Sequence, residues 1–274
     1  MTFVVKIGGG AGVATEAILD EVAELVDSGH RIVLVHGGSH LTTTMSERLG
    51  HPVRAVTSPN GMTSRYTDVE TLRIFAMSVA GEINTSIVAG LQSRGVNALG
   101  LSGVDGRLLL ARRKATVRTV TPDGRTLILR DDHTGQIESV NAMLLQNLLA
   151  MGYTPVIAPL ALSHEGERLN VDGDRAAAAV AAALDAECLA IMTNVPGLLE
   201  DAHDPASLIS HIPAERLDEY MEYAEGRMRK KLLGAREALE GGVPRVCIGS
   251  RSLAGVLGGA GTTIEAEPVV ARLG

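Results

Sequence analysis

The sequence predicts an α/β fold: a three-layer αβα sandwich on a mainly parallel open sheet, with a small β-hairpin insert. Three observations predict it. Short apolar, β-branched runs alternate with stretches of helical periodicity along most of the chain. A short helix between two buried strands implies parallel pairing through a right-handed crossover. Glycine clusters follow directly on two of the apolar runs, in "FVVKIGGGAG" and "VHGGSHLTTT", at the strand ends where open α/β sheets bind ligands.

Thr2 to Ile7 reads as a strand. Thr15 to Ser28 reads as a helix through Ile18, Val22, Leu25 and Val26, stopped by Gly29, and Arg31 to Val35 as the second strand. A helical pattern runs from Asp68 to about Arg94, its face marked by Val69, Leu72, Phe75, Val79, Ile83, Ile87 and Leu91. "VNALGLSG" is the next strand. Residues 106–140 change texture, and Pro122-Asp123-Gly124 between two β-rich runs signals a hairpin, so this segment reads as the β insert. Helix Ala142–Met151 and strand Thr154–Ala158 restore the alternation. Gly173-Asp174 opens an alanine-rich helix, "CLAIMTNVPGLL" is a strand with a glycine turn, and a helix lies around Arg229–Glu240. Strand Val243–Ile248 and the strand "GTTIEA" complete the series. No Pro, Gly or Ser-rich linker divides the chain, so residues 1–274 read as a single domain. Its N-lobe covers about 1–160 and its C-lobe about 161–274.

At 274 residues and 45% hydrophobic composition, the chain can bury a large core. Aromatic residues are only 2% and Trp is absent, which argues against base-stacking nucleic-acid binding, and the net charge of −7 argues against general phosphate-backbone binding. No run reads as a membrane span; "AAAAVAAAL" ends at Asp185, far short of roughly 20 residues. The N-terminus shows no charged leader or cleavage site, so a cytoplasmic protein is expected. Cys188 and Cys247, each in an apolar strand-like segment, read as buried thiols rather than a disulfide framework.

The standard glycine-turn motifs fail on spacing. In "GGGAGVAT" Val13 stands where a dinucleotide fingerprint needs its last glycine. No GxxxxGK[S/T] and no GxSxG is present. Lys6, inside "FVVKIGG", is costly to bury without a partner; it reads either as a cation aimed at the strand-end cleft or as a snorkelling edge lysine. In "RLNVDGDRAAAAV", Asn170, Asp172 and Asp174 precede a helix, suiting either a helix cap or a site for phosphate and cations. Arg227, Arg229, Lys230 and Lys231 begin an amphipathic helix, where cations oppose the dipole unless an anion sits there; a solvated charge run is the alternative.

Taken in order, "KIGGGAG", "VHGGS", "GMTSRYTD", "LNVDGD", "TNVPGLL" and "GRMRKKL" resemble the amino acid kinase family, closest to its acetylglutamate kinase branch. The resemblance spans essentially the whole chain. It implies ATP-dependent phosphorylation of a side-chain carboxylate to an acyl phosphate, with Mg²⁺ bound through the nucleotide phosphates and no metal held by the protein. By the same resemblance Lys6 and Lys231 hold the transferring group and Asp174 orients them. Gly8, Gly9, Gly37 and Gly38 offer N–H groups. Arg65 and Asn170 bind the acyl substrate. Asn194, Gly197 and Leu198 lie on the nucleotide side.

Ser39 and Arg227 depart from the usual acetylglutamate kinase pattern. With "RDDHTGQIESVN", they resemble kinases acting on 2-aminoadipate held by a small acidic amino-group carrier protein. Residues 107–130 carry Arg107, Arg112, Arg113, Lys114, Arg118, Arg125 and Arg130 against Asp123, a basic segment on an acidic protein. Arg112, Arg113, Lys114 and Arg118 are the candidate carrier-docking residues; the alternative is that these cations scatter over both faces of a hairpin. The placement of Lys6 in the first strand leads to the expectation of a homodimer without the arginine-sensing N-terminal helix. An acetylglutamate kinase, a carrier-dependent glutamate kinase and a non-catalytic nucleotide-binding subunit are the rival readings.

Overall fold

The computed structural model describes residues 1–59, 61–114, 116–120, 125–250 and 252–266. The chain begins β1 (Thr2–Ile7), α1 (Thr15–Asp27), β2 (Arg31–His36) and α2 (Ser39–Arg48). Gly29, at φ 85°, turns the chain between α1 and β2. The antiparallel pair β3 (Ala55–Thr57) and β4 (Thr63–Arg65) follows, too short to register in the sequence periodicity. Next come α3 (Val69–Ala76), a π-helical stretch (Met77–Ile83) and α4 (Asn84–Gln92), then β5 (Ala98–Ser102). Asp68 caps α3 by accepting from Thr71 N at 2.8 Å. Of the predicted helix face, Val69 is the exception, 62% exposed at the first turn.

The insert supplies β6 (Leu109–Arg113), β7 (Val117–Val120), β8 (Thr126–Leu129) and β9 (Gly135–Val140). The Pro122-Asp123-Gly124 turn lies outside the described residues, but β7 and β8 pair antiparallel on either side of it. The remainder is α5 (Ala142–Ala150), β10 (Thr154–Ala158), β11 (Leu160–Leu162), β12 (Arg168–Asn170), α6 (Gly173–Ala183), β13 (Cys188–Met192), β14 (His211–Pro213), α7 (Leu217–Tyr220), α8 (Gly226–Glu240), β15 (Arg245–Gly249), α9 (Leu253–Leu257) and β16 (Thr262–Glu265).

Eight strands form the central sheet in the order β14-β16-β15-β13-β1-β2-β10-β5, parallel except at β15–β16. The insert is more than a hairpin. β6 and β9 join β11 and β12 in a separate four-stranded sheet, in the order β12-β11-β6-β9. β1 is the point of reversal: β2, β10 and β5 extend from one side, β13, β15, β16 and β14 from the other. Ligands of such sheets bind beyond the strand ends at this point.

Period-two alternation sorts the strand residues onto two faces. Val4, Val33, Val35 and Ile157 share one core with α6 and α8 residues such as Ala177, Leu232 and Ala235. Phe3, Val5, Ile7, Ile32, Leu34 and Val156 share the other with α1, α4 and α9 residues such as Ile18, Ile87 and Leu253. Lys6 therefore falls on the α6/α8 face, and His36 on the α4 face. The Cys188 and Cys247 sulfurs lie buried 3.7 Å apart on neighbouring strands, as free thiols.

The expectation that no segment could span a membrane needs one correction. The helix Val69–Gln92 is long and apolar enough by length and composition, with mean hydropathy 1.4. In the fold this helix lies against α1, α2, β5 and β10, and it buries the polar residues Ser78 and Asn84.

Asp132, 1% exposed, fastens the four-stranded sheet to the start of the long helix: its carboxylate accepts from Thr67 N at 3.0 Å and Thr134 N at 2.8 Å. Asp132→Ala strands two amides and should cost about 2–4 kcal/mol of unfolding free energy in urea titration. A change within about 0.5 kcal/mol would contradict this role.

Candidate functional site

Three charged side chains from β1, α6 and α8 meet beneath the carboxyl end of the central sheet. Lys6 Nζ lies 2.6 Å from Asp174 Oδ1, a close ion contact rather than an aligned hydrogen bond. Lys231 Nζ donates to Asp174 Oδ2 at 3.3 Å. All three are buried, at 5%, 6% and 7% exposure for Lys6, Asp174 and Lys231. Two ammonium groups face one carboxylate, so the triad itself carries one positive charge in excess, with Asp172 also acting on Lys231 from nearby. Burial alone would raise the Asp174 pKa, but the Lys6 and Lys231 charges hold it below the usual carboxylate value. Burial, then the charge of Lys6, lowers the Lys231 pKa against the pull of Asp174.

Local sequence explains each position. Lys6 alternates with Val5 and Ile7 and so points at α6. Asp172, not Asp174, caps α6, its Oδ1 accepting from Asp174 N at 2.9 Å and Arg175 N at 3.2 Å. Asp174 is thereby free to face the lysines from the first turn. Gly234, one turn beyond Lys231, lets α8 approach α6: a Cβ there would stand 3.2 Å from the Asp174 backbone. Arg175 and Glu237 tie the same helices from outside, with Arg175 Nε donating to Glu237 Oε2 at 2.9 Å.

The two glycine turns pack backbone on backbone above the triad. A Cβ on Gly9 would lie 2.1 Å from Gly38 N, and one on Gly37 would lie 2.6 Å from Gly9 N. Gly8 N and Gly37 N are committed to Met192 O at 2.9 Å and Ile7 O at 2.8 Å. Gly9 N and Gly38 N have no partner among the described residues. Ser39 locks the turns together by donating to Gly9 O at 2.9 Å.

Arg65 lies beside them, its Nη2 donating to Ser39 O at 3.0 Å, while its buried Nη1 has no partner among the described residues. Burial, then the charge of Arg227, lowers the Arg65 pKa. Arg227 Nη1 sits over Gly10, 2.8 Å from where a Cβ would be. Asn170 donates to Thr67 Oγ1 at 3.0 Å, and Thr67 Oγ1 to Arg65 O at 3.3 Å, so Asn170 and Arg65 belong to one wall.

Asn194 bridges to the first glycine turn, donating to Ala11 O at 3.3 Å. Gly197 and Leu198 are internal to their loop: Leu198 N donates to Thr262 Oγ1 at 2.8 Å, and a Cβ on Gly197 would collide with that hydroxyl at 2.5 Å.

The candidate docking cations differ in their surroundings. Arg112 is exposed and paired with Glu138 at 3.0 Å. Arg113 is held by Asp132 O at 2.9 Å and Glu167 at 3.3 Å. Both acids lie outside the 107–130 window, so counting within it overstates the positive charge. Lys114 keeps contact with solvent but faces Arg175, Asp132, Asp172 and Lys230; desolvation and then Arg175 lower its pKa. Arg118 is exposed on β7.

His36 and Asn84 escaped the sequence reading. His36, 1% exposed at the end of β2, has its pKa pushed down to about 4, by burial first and by Lys6, against a raising hydrogen bond to Gly37. The available signal was Asn84 itself, a polar residue one turn before Ile87 on the buried face of the long helix. Among the described residues no three His, Cys, Asp or Glu side chains gather to hold a metal. Asp174 is already taken by the two lysines.

A mainly parallel sheet with paired glycine turns over buried lysines defines an α/β phosphotransferase. The chain belongs to the amino acid kinase family, whose model matches residues 1–250. It is 50% identical over 266 residues to the [LysW]-aminoadipate kinase of Deinococcus radiodurans, covering 96% of this chain and 91% of that one. It is 49% identical over 245 residues to the [LysW]-aminoadipate kinase of Thermus thermophilus, covering 89% and 91%. Among solved structures, the carbamate kinase of Giardia lamblia bound to AMP-PNP matches with a TM-score of 0.67 over 97% of this chain and 98% of that one. At 15% identity it is similar in fold alone.

The depressed His36 pKa has a stability consequence. The unfolded chain takes up the proton near 6.5 and the folded one near 4, so U binds more protons between these values and stability rises with pH there. At about 1.4 kcal/mol per unit, the full effect is on the order of 3 kcal/mol. Urea titrations from pH 4 to 6.5 should show this slope, and His36→Asn should flatten it; an unchanged slope would contradict the assignment.

Proposed function

We propose that the chain uses ATP to phosphorylate the side-chain carboxylate of 2-aminoadipate attached to a small acidic amino-group carrier protein. The product is an acyl phosphate, formed in lysine biosynthesis in the cytoplasm by a homodimer. As a member of its family the chain is a kinase. The acceptor and carrier are supported by the two relatives, and the chemistry by one observation above all: the buried excess positive charge shared by Lys6, Asp174 and Lys231. Such a charge is costly unless an anion shares the site.

In this reading the acceptor carboxylate is ionised at neutral pH and needs no base. One of its oxygens forms the new P–O bond as the bond from the γ-phosphorus to the leaving ADP oxygen breaks. Repulsion between anions is the obstacle, so catalysis is positioning and neutralisation. Lys6 and Lys231 flank the transferring group, Asp174 keeps them apart and oriented, and the Gly9 and Gly38 N–H groups donate to oxygens from above. The Nη1 of Arg65, without a partner among the described residues, takes a carboxylate of the acyl substrate, with Asn170 and Thr67 on the same wall. Residues of the N-terminal half hold the acyl side. Residues of the C-terminal half hold the nucleotide, with Gly197 and Leu198 shaping the loop that carries Asn194. Mg²⁺ would arrive on the nucleotide phosphates and neutralise part of their charge.

Hydroxylamine trapping of the acyl phosphate should give product with carrier-bound 2-aminoadipate. Equal or faster trapping with free acetylglutamate would replace this reading by that of an acetylglutamate kinase. Lys231→Ala should lower kcat by about 10²–10³-fold while the KM for ATP moves little. A rise in KM at constant kcat would mean that Lys231 serves ground-state binding. Charge reversal at Lys114 and Arg118 should raise the KM for the carrier, with the effect fading at high salt. An unchanged KM would remove both from the docking surface.

A further inference from the structure

The Gly37–Gly38 turn is held from behind by the point where the long helix passes from π to α geometry. Asn84 Nδ2 donates to Val156 O at 2.9 Å and faces His36 Nε2 at 3.2 Å. His36 Nδ1 lies 3.0 Å from Gly37 O. The directions of these bonds follow from the inventory of donors. An amide nitrogen only donates, so His36 Nε2 must be bare, the proton must sit on Nδ1, and Nδ1 donates to Gly37 O. Flipping the amide would set its oxygen against Val156 O, two acceptors facing one another. The amide oxygen instead lies over Gly100, where a Cβ would stand 2.2 Å away. Asn84 and His36 are 6% and 1% exposed, so no water competes freely for these bonds.

The π-helical stretch adds two further supports. Thr42 Oγ1 donates to Gly38 O at 2.7 Å and is itself 2.7 Å from Ser78 Oγ. The Gly38 α-carbon rests on Val79, whose Cγ1 would be 2.4 Å from an added Cβ. π-helical insertions recur at functional sites because they re-aim side chains that a regular helix would place elsewhere.

The peptide unit explains why this matters. Gly37 C=O and Gly38 N–H belong to one planar group and point in opposite directions. Holding the carbonyl from the α4 side aims the N–H into the cleft on the other side. We propose that Asn84 and His36 are positioning residues that clamp the Gly37–Gly38 peptide, so that the Gly38 N–H is aimed at the transferring phosphoryl group before ligand arrives. This rests on the phosphoryl-transfer reading for its purpose, though not for its geometry. Neutral His36 is required, and its depressed pKa supplies that at neutral pH.

Two substitutions separate positioning from packing. His36→Asn keeps a donor near the Nδ1 position, whereas His36→Gln places its amide near Nε2 and loses the donor to Gly37. His36→Gln should lower kcat by about 10–100-fold with the KM for ATP within about threefold, and His36→Asn should recover most of that loss. Equal losses in both, or losses that follow the fall in Tm, would overturn the proposal. Nitrogen chemical shifts of ¹⁵N-histidine-labelled native protein test the geometry without turnover. The expected His36 signal is the Nδ1–H tautomer, shifting towards Nε2–H in Asn84→Ala. An Nε2–H tautomer in the native protein would overturn the clamp even if the enzyme is active. A native protein with the Nδ1–H signal but no acyl-phosphate product would overturn the phosphoryl-transfer reading instead.

Discussion

The structure turns on one electrostatic constraint. Two lysines share a single aspartate in a place that water barely reaches, and the imbalance is tolerable because surrounding parts of the fold fix it. Lys6 comes from the middle of a parallel sheet, Asp174 from the first turn of a capped helix and Lys231 from a helix that glycine allows to close in. Loss of Asp174 would strand two buried like charges, whereas loss of either lysine would leave a balanced pair and remove the surplus. The same arrangement that is unfavourable for an empty protein is favourable once a polyanion is bound.

The glycine turns translate this charge into geometry. Their contact is between main chains, so they offer N–H groups at fixed places rather than flexible side chains. Two of the four amides complete the sheet edge and the other two have no partner among the described residues. Arg65 continues this pattern: one of its terminal nitrogens is anchored to Ser39 O, and the other is buried with no partner among the described residues.

The fold was legible wherever apolar periodicity was strong. β1, α1, β10 and the long helix stand within a residue or two of their sequence-read limits because alternation and helical spacing report burial directly. Lys6, Asp174 and Lys231 could be named from motif order, but their convergence needed the sheet order that places β1 between the two halves. What stayed hidden was set by tertiary context. β3 and β4 are three residues each, too short for a period. β6 pairs with β11, far along the chain, and carries β9 on its other edge, so the insert looked smaller than it is. Arg112 and Arg113 looked like free surface charge because their acidic partners, Glu138 and Glu167, lie elsewhere in the sequence. Asp172 and Asp174 could not be told apart by residue type; only backbone geometry assigns one to the cap and one to the lysines.

The interlocked glycines carry a consequence for how such a chain can vary. A side chain on Gly9 would strike the main chain of the second turn, and one on Gly37 the main chain of the first. Neither loop has slack of its own, so drift in one would demand simultaneous drift in the other. Room for change therefore lies around the two loops rather than within them, and sterically the pair behaves as one indivisible part.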